Sequence, residues 1–252
     1  MMSIKVAVTS GKGGVGKTTT VANLGIALAR LGVDVTVVDA NFSTPDLSMH
    51  FGSSATEKTI HHALAGSVDL LDAVYIHPSG LKIIPASIAL EDLEKLDYSK
   101  LKKLVDKIPG EVILFDTAAG LGEEMQNIIR IADKTVVVTN PEWPAITDAL
   151  KAAIVSESHG VPVDGVIVNK IGLDSFEPGS ESIEAILDAP VIASIPHDHS
   201  IRKSISTKNP AVISSPSSKA AEAYNELAHS LIGLPYEKPG FSLERFIAKL
   251  FG

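Results

Sequence analysis

The sequence predicts an α/β fold of the Rossmann-like type, in which a mostly parallel, twisted sheet carries helices on both faces. Apolar runs of strand length alternate along the chain with stretches of helical periodicity. These runs are apolar at successive positions, which is typical of parallel strands that are buried on both faces. The predicted strands are Ile4–Thr9, Val33–Val38, Leu81–Ile84, Val112–Phe115, Thr135–Thr139, Val163–Val168 and Val191–Ala193.

The length and composition of the chain agree with this fold class. A chain of 252 residues has the length of one large α/β domain or two small ones, and 45% hydrophobic residues are enough for a full core. There is no cysteine, which excludes disulfides, thiolate-held zinc or iron–sulfur clusters and a cysteine nucleophile. The net charge of -8 disfavours a broad basic face, and therefore nucleic acid as a partner.

The pattern of elements predicts a domain boundary near residue 233. A helical pattern follows the first strand, with Val21, Leu24 and Leu28 at three- and four-residue spacing, and a last helix opens at 214–216 and reaches Ile232. Two prolines and a glycine in 234–240 are typical of a linker. We therefore expect one domain over residues 1–233, a linker over 234–240 and a separate C-terminal helix over 241–252.

The segment between the first strand and the first helix fits the pattern G-x-x-x-x-G-K-[ST]. This phosphate loop consists of Gly11, Lys12, Gly13, Gly14, Val15, Gly16, Lys17, Thr18 and Thr19. Its glycines let the backbone wrap around phosphates, and the helix N-terminus adds a partial positive charge. In this pattern Lys17 reaches the β- and γ-phosphates and the Thr18 hydroxyl ligates Mg²⁺. The sequence therefore predicts a P-loop NTPase that binds a nucleotide with Mg²⁺.

The phosphate loop contains a second lysine, Lys12, which an ordinary nucleotide-binding loop does not need. With it, the stretch from Lys12 to Thr19 resembles the deviant Walker A motif of the MinD/ParA family of dimeric ATPases. The resemblance covers nearly the whole chain. It implies that the nucleotide is ATP and that the protein forms a homodimer with ATP, in which Lys12 reaches the nucleotide of the partner subunit.

Two segments resemble the switch regions of that family. Residues 38–41 with 45–47 resemble switch I, and residues 114–120 resemble switch II. Asp116 ends a buried strand, where a carboxylate is costly unless it meets a cation, so Mg²⁺ bound through water is its expected partner. Asp39 has the same strand-end position and is, with Thr18, a further candidate for the metal site. For both aspartates the alternative is a carboxylate that caps a turn.

Asn41 departs from the family pattern, which usually has an aspartate at this position of switch I to orient the attacking water. An asparagine can hold water but cannot accept its proton. We therefore place Asn41 with Lys12, Lys17 and Asp116 among the catalytic residues and expect slow hydrolysis. A nucleotide-dependent switch with hardly any turnover is the alternative.

Two later segments resemble the adenine-binding loops of the family. Asn169, at the end of a predicted strand, is similar to the residue whose side-chain amide faces adenine, and Pro196 to Asp198 resemble the loop whose backbone closes around the ring. An amide offers a donor and an acceptor, which the edge of adenine can match. The alternative for Asn169 is a strand-end asparagine in a turn. Residues 140–142, after another strand, fit the family as loop scaffolding.

The last twelve residues resemble the membrane-targeting helix of the MinD branch of the family. A helical projection places five large apolar residues on one arc: Leu243, Phe246, Ile247, Leu250 and Phe251. Membrane lipid would bind through Phe241–Phe251, and more strongly with two tails on one ATP-bound dimer. The alternatives are a tail that docks on the protein's own surface, or one that docks with ADP and is released with ATP.

The resemblance implies a cytoplasmic ATPase that is recruited to the inner face of the cell membrane with ATP, is released by hydrolysis and positions the division site. The sequence contains no run of 18 apolar residues and no signal peptide pattern. Two alternatives stay open, a partitioning ATPase that binds DNA and an ATPase that positions flagella or polar organelles. A protein activator or cargo is expected, and the sequence does not identify it.

Overall fold

A computed structural model of the chain describes residues 3–52, 57–93 and 96–236. The strands are β1 (Ile4–Thr9), β2 (Val35–Ala40), β3 (Tyr75–Ile76), β4 (Lys82–Ile84), β5 (Val112–Thr117), β6 (Lys134–Thr139), β7 (Val163–Ile171) and β8 (Val191–Pro196). They form one sheet in the order β3-β4-β2-β5-β1-β6-β7-β8. All neighbouring strands pair in parallel except β3 and β4. The predicted α/β class with a mostly parallel sheet is confirmed.

Helices connect the strands and cover the sheet. They are α1 (Lys17–Arg30), α2 (Leu47–His50), α3 (Ile60–Ala65), α4 (Leu90–Leu93), α5 (Leu101–Val105), α6 (Glu123–Ile129), α7 (Trp143–Ser158), α8 (Ser180–Leu187), α9 (His199–Ser206), α10 (Ala211–Ser214) and α11 (Lys219–Leu231). Single 3-10 turns occupy Leu70–Ala73 and Tyr98–Lys100. Among the residues described, no helix is both long enough and apolar enough to cross a bilayer.

The two faces of the sheet are buried in separate hydrophobic clusters. Successive side chains of a strand point to opposite faces, so Val6 and Val8 of β1 pack with helices α1 and α11, whereas Ala7 packs with helices α3, α5 and α6. Every residue of β2 is buried. The continuous apolar runs in the sequence thus correspond to strands covered on both sides.

The structure differs from the predicted elements at three places. Most strands extend beyond their predicted ends, and β7 reaches Ile171. The short antiparallel strand β3 was not predicted, because two residues at a sheet edge, one of them the exposed Ile76, give no periodic signal. The last helix begins at Lys219 and not at residues 214–216, because the hydroxyl of Ser218 caps it by accepting from the backbone N–H of Ala221 at 3.3 Å.

The C-terminal part of the prediction is only partly within the described residues. Helix α11 ends at Leu231, and residues 234–236 form neither helix nor strand. Residues 237–252, which include most of the predicted linker and the whole predicted membrane-targeting helix, lie outside the described residues.

Candidate nucleotide site

The candidate site lies at the carboxyl ends of the parallel strands, where loops from the middle of the sheet converge. A cavity of about 880 Å³ opens there. Ten of the residues expected at the site from the sequence line this cavity: Gly13, Gly14, Gly16, Lys17, Thr18, Thr19, Asn41, Asn169, Pro196 and Asp198. Gly11, Lys12, Val15, Asp39 and Asp116 do not line it, although each lies in or beside a loop that does. The fold therefore brings segments from four loops together around one space.

In the phosphate loop, backbone conformation favours glycine at Gly16, and close packing favours it at Gly11. Gly16 adopts φ 102° immediately before α1, a conformation that side chains disfavour, and a Cβ there would clash with the amide of Asn169. A Cβ on Gly11 would clash with the backbone carbonyl of Asp148 in α7. The loop thus lies directly against two neighbouring elements, and Lys17 follows it as the first residue of α1.

Polar side chains from two strand ends hold the phosphate loop by its carbonyl groups. The Asn169 amide donates to the carbonyl of Val15 at 2.7 Å, and the Asn140 amide donates to the same oxygen at 3.3 Å. The ammonium of Lys170 donates to the carbonyl of Gly14 at 2.6 Å. These three hydrogen bonds hold the phosphate loop in place at the cavity wall.

Asn169 therefore has a role in the structure that the sequence reasoning missed. Its side-chain oxygen accepts from the backbone N–H of Lys170 at 2.9 Å, and Asn140 donates to its backbone carbonyl at 2.9 Å. No local sequence signal predicts a contact to Val15, 154 residues away. The expected contact of Asn169 with adenine stays a prediction, and the residue lines the cavity as that contact requires.

Asp39 and Asp116 are direct neighbours across strands β2 and β5 and are both fully buried. The two oxygens of Asp39 accept from backbone N–H groups of the switch I segment, from Asn41 at 3.3 Å and Leu47 at 3.1 Å. Burial, and next the charge of Asp116, raise the pKa of Asp39 well above its ordinary value. Asp39 thus fixes the switch I segment by both of its oxygens.

In the described part of the chain, neither oxygen of the buried Asp116 carboxylate has a hydrogen-bond partner at normal geometry. Burial raises its pKa to about 7, and the positive charge of Lys17 and the nearby Thr18 hydroxyl oppose that shift. A buried carboxylate in this condition is stabilised by a cation, so the donor set fits Mg²⁺.

Thr18, the third residue expected at the metal site, forms a hydrogen bond with a switch I residue to which the sequence assigned no role. Its hydroxyl donates to Asp46 of switch I at 2.9 Å, and Asp46 lines the cavity. No group of three or more acidic, histidine or cysteine residues that could cage an ion occurs in the described part of the chain. Mg²⁺ commonly takes one or two protein ligands and completes its shell with phosphates and water. When bound between the phosphates, it would neutralise the charge that develops during phosphoryl transfer.

Asn41, expected to hold the attacking water, is tied into a turn at the cavity wall. Its amide donates to the backbone carbonyl of Thr44 at 2.5 Å, and its oxygen accepts from the hydroxyl of Thr44 at 3.0 Å. Both ends of the side chain are therefore satisfied within switch I. The amide keeps a second N–H and a second lone pair with which it could hold a water at the cavity, and that role in hydrolysis stays a prediction.

Lys12 and Asp198 each have a partner within the protein, Glu142 at the cavity wall for Lys12 and backbone N–H groups for Asp198. The Lys12 ammonium lies 3.5 Å from the carboxylate of Glu142, and the lysine side chain is 33% exposed. Asp198 caps α9, accepting from the backbone N–H of Ser200 at 2.8 Å, and it also accepts from that of Ala220 at 3.3 Å. Although partial burial opposes them, these hydrogen bonds lower the pKa of Asp198. Asp198 is thus the N-cap of α9 at the end of the predicted adenine loop, and its contact with the nucleotide stays a prediction.

Comparison with known proteins decides the family. The sequence model of the ParA family, described as NUBPL iron-transfer P-loop NTPase, matches residues 2–232. An uncharacterized ATP-binding protein of Methanocaldococcus jannaschii is 39% identical over 259 aligned positions, which cover 100% of this chain and 98% of the relative. The chain belongs to the ParA/MinD family. Since these 252 residues contain no cysteine, they offer no thiolate for iron.

Solved structures of MinD proteins have the same fold. The cell division ATPase MinD of Pyrococcus furiosus superposes with a TM-score of 0.88 at 33% identity, covering 93% of this chain and 100% of that one. The septum site-determining protein MinD of Pyrococcus horikoshii, complexed with Mg-ADP, gives 0.87 at 33% identity, covering 91% and 96%. MinD in the MinC:MinD complex of Aquifex aeolicus gives 0.82 at 31% identity, covering 94% and 99%. The protein is a P-loop ATPase of this family, and its cofactors are ATP and Mg²⁺, as the sequence predicted.

Proposed function

We propose that this ATPase forms a dimer with Mg·ATP, binds the membrane peripherally through residues 241–252, and positions the division site or another cellular structure until hydrolysis releases it. The observation that carries the proposal is the similarity to cell-division MinD proteins, which extends over more than nine-tenths of both chains. The domain division at residue 233, the linker and the terminal helix are part of the proposal.

The position of Lys12 supports the ATP-dependent dimer. A lysine within a phosphate loop would be expected to face its own cavity, but Lys12 does not line that cavity and is paired with Glu142, whose side chain is 60% exposed. An exposed ion pair contributes little free energy, about 0–1 kcal/mol. Lys12 is therefore free at small cost to reach the nucleotide of a second subunit.

The composition of residues 241–252 supports a membrane contact that depends on the dimer. Full burial of a large apolar side chain contributes about 1.5–3 kcal/mol, and interfacial burial contributes less. Ordering one residue costs about 1–2 kcal/mol, so a single tail of this length binds only marginally. Two tails on one dimer raise the effective concentration for the second contact, which makes membrane binding depend on ATP.

Liposome co-sedimentation of the full chain tests the membrane part of the proposal. Vesicles of anionic lipid are pelleted with protein and ATP, a non-hydrolysable analogue, ADP or no nucleotide. We expect pelleting with ATP and the analogue only. The variant Phe246→Ser with Leu250→Ser should stay in the supernatant, whereas the matched control Ser242→Ala, on the opposite arc of the helical projection, should pellet as the parent does.

A parallel DNA-retention assay separates the alternatives within the family. ATP-dependent retention on DNA without lipid binding would replace the membrane proposal by a partitioning function. If the protein binds lipid equally with ATP and ADP, the proposed membrane contact stands, but the proposal that the nucleotide controls it is contradicted.

A further inference from the structure

Glu124, near the start of α6, holds the switch I residue Ser43 with both of its carboxylate oxygens. One oxygen accepts from the backbone N–H of Ser43 at 3.1 Å, and the other accepts from the Ser43 hydroxyl at 2.6 Å. Hydrogen bonds to an ionised acceptor are shorter and stronger than neutral ones. The two residues are 81 positions apart, so this contact joins helix α6 to the switch I segment.

The residues on both sides of Ser43 connect it to the protein core and to the nucleotide cavity. The ring of Phe42 is fully buried and meets His61 edge-on at 5.4 Å and Tyr98 at 5.9 Å. Asn41 and Thr44 line the cavity. The buried ring of Phe42 thus anchors this segment in the core, and Glu124 of α6 holds Ser43. Asn41 and Thr44, the neighbours of these two residues, are thereby kept at the cavity wall.

The helix that carries Glu124 follows switch II directly. The carboxylate of Asp116 lies eight residues before Glu124, and the intervening chain is attached to the phosphate-loop region. Thr117 donates to the carbonyl of Val8 at 3.0 Å, and the backbone N–H of Gly120 donates to the carbonyl of Ser10 at 3.1 Å. The start of α6 thus connects switch II, beside the phosphate loop, with Ser43 of switch I.

We propose that Glu124 is a positioning residue for ATP hydrolysis, which couples switch II to switch I by its two-point hold on Ser43. It does not line the cavity and acts only through the switch I segment. The inference rests on the ATPase activity of the family and not on the proposed dimer or membrane contact. Loss of the hold leaves the phosphate loop intact but lets Asn41 and Thr44 leave their positions in the cavity wall.

Three variants separate this role from a general effect on charge or folding. Glu124→Ala removes both acceptors. Glu124→Gln keeps one acceptor and replaces the second contact by an amide that donates to the Ser43 hydroxyl. Glu123→Ala is the matched control, because Glu123 is the adjacent exposed carboxylate of α6 and has no hydrogen bond to switch I in the described structure.

The first measurement is steady-state ATP hydrolysis at saturating Mg²⁺. A hydrogen bond corresponds to about a two- to tenfold change, and two are lost here, so we expect Glu124→Ala to lower kcat about five- to tenfold with KM within about twofold of the parent. Glu124→Gln, which keeps neutral contacts, should lower kcat only about two- to threefold, and Glu123→Ala should stay within about twofold of the parent in both constants. Equal kcat in Glu124→Ala and the parent, or equal losses in Glu124→Ala and Glu124→Gln, would overturn the proposal.

Hydrogen exchange of the nucleotide-free protein gives a readout that does not depend on activity. The backbone N–H of Ser43 should exchange about tenfold faster in Glu124→Ala and at the parental rate in Glu123→Ala. Ser43→Ala, which deletes only the hydroxyl contact, should lower kcat about two- to threefold and have no further effect when combined with Glu124→Ala. Additive effects of the two substitutions, or unchanged exchange at Ser43, would contradict the hold.

Discussion

The side-chain amide of Asn169 donates a hydrogen bond to the carbonyl oxygen of Val15 at 2.7 Å, and this contact joins the end of β7 to the middle of the phosphate loop. Since Asn169 also lines the cavity, the same residue fixes the phosphate side of the site and borders the space expected for the base. Loop geometry and nucleotide contact are therefore linked through one side chain.

Replacement of Asn169 by alanine should weaken nucleotide binding through the loop. The Val15 carbonyl would keep only the longer contact from Asn140, and the backbone N–H of Lys170 would lose its acceptor. We expect about tenfold weaker binding of both ATP and ADP and a loss of about 1–3 kcal/mol in the free energy of unfolding. Fluorescent-nucleotide titration and urea unfolding measure the two effects. Parental affinity in Asn169→Ala would show that the loop does not need this contact.

Two glycines of the phosphate loop should respond differently to alanine. A Cβ on Gly11 would clash with the Asp148 backbone, whereas the nearest atom to a Cβ on Gly13 is the Cβ of Ala119 at 3.9 Å, an ordinary contact. Gly11→Ala should therefore lower the free energy of unfolding by about 1–3 kcal/mol or more, and Gly13→Ala should leave it within about 0.5 kcal/mol. Thermal and urea unfolding of the nucleotide-free proteins provide the comparison, and equal stabilities would contradict the packing of Gly11 against α7.

Asp116→Asn tests the expected Mg²⁺ contact. The buried carboxylate has no hydrogen-bond partner, so its replacement by a neutral amide should raise the free energy of unfolding of the nucleotide-free protein by about 1 kcal/mol or more. The same variant should gain less ADP affinity from Mg²⁺ than the parent does, because one of the groups expected to hold the cation has lost its charge. Calorimetric titration with ADP in both conditions measures this. A variant whose ADP affinity still rises with Mg²⁺ as the parent's does would place the cation elsewhere.

Asn41→Asp tests the expected reason for slow turnover. An aspartate can accept a proton from water and orient it, but it cannot donate to the Thr44 carbonyl as Asn41 does. We expect a faster basal rate of ATP hydrolysis together with a small loss of stability, since one hydrogen bond of switch I is lost. A phosphate-release assay measures the rate. An unchanged rate would remove Asn41 from the catalytic residues.

Much of the fold and the phosphate loop could be predicted because their signals are local. A strand buried on both faces, such as β2, shows itself as a continuous apolar run, and the phosphate loop shows itself by the spacing of its glycines and lysines. The edge strand β3 lacks such a signal because it consists of only two residues, and the side chain of one of them is exposed. Local periodicity and the spacing of residues within one motif thus carried the predictions that succeeded.

The contacts that shape the site could not be predicted, because each joins residues far apart in the chain. Lys170 reaches Gly14 across 156 positions, and Glu124 reaches Ser43 across 81. The choice of Asp46 as the partner of Thr18 also depends on how switch I folds back over α1. Such side-chain contacts depend on how separate loops pack against one another. The sequence of any one loop carries no information about that packing.

The most direct test of the account is the mass of the protein in solution with each nucleotide. Sedimentation velocity of the parent should show a species of twice the 26.5 kDa chain mass with Mg²⁺ and a non-hydrolysable ATP analogue, and the single chain with ADP. Lys12→Ala should bind the analogue but remain a single chain, while Lys151→Ala, which removes an exposed lysine of α7, should form the dimer. A parent that stays a single chain with the analogue bound, or a Lys12→Ala variant that dimerises normally, would contradict the proposed ATP-dependent dimer.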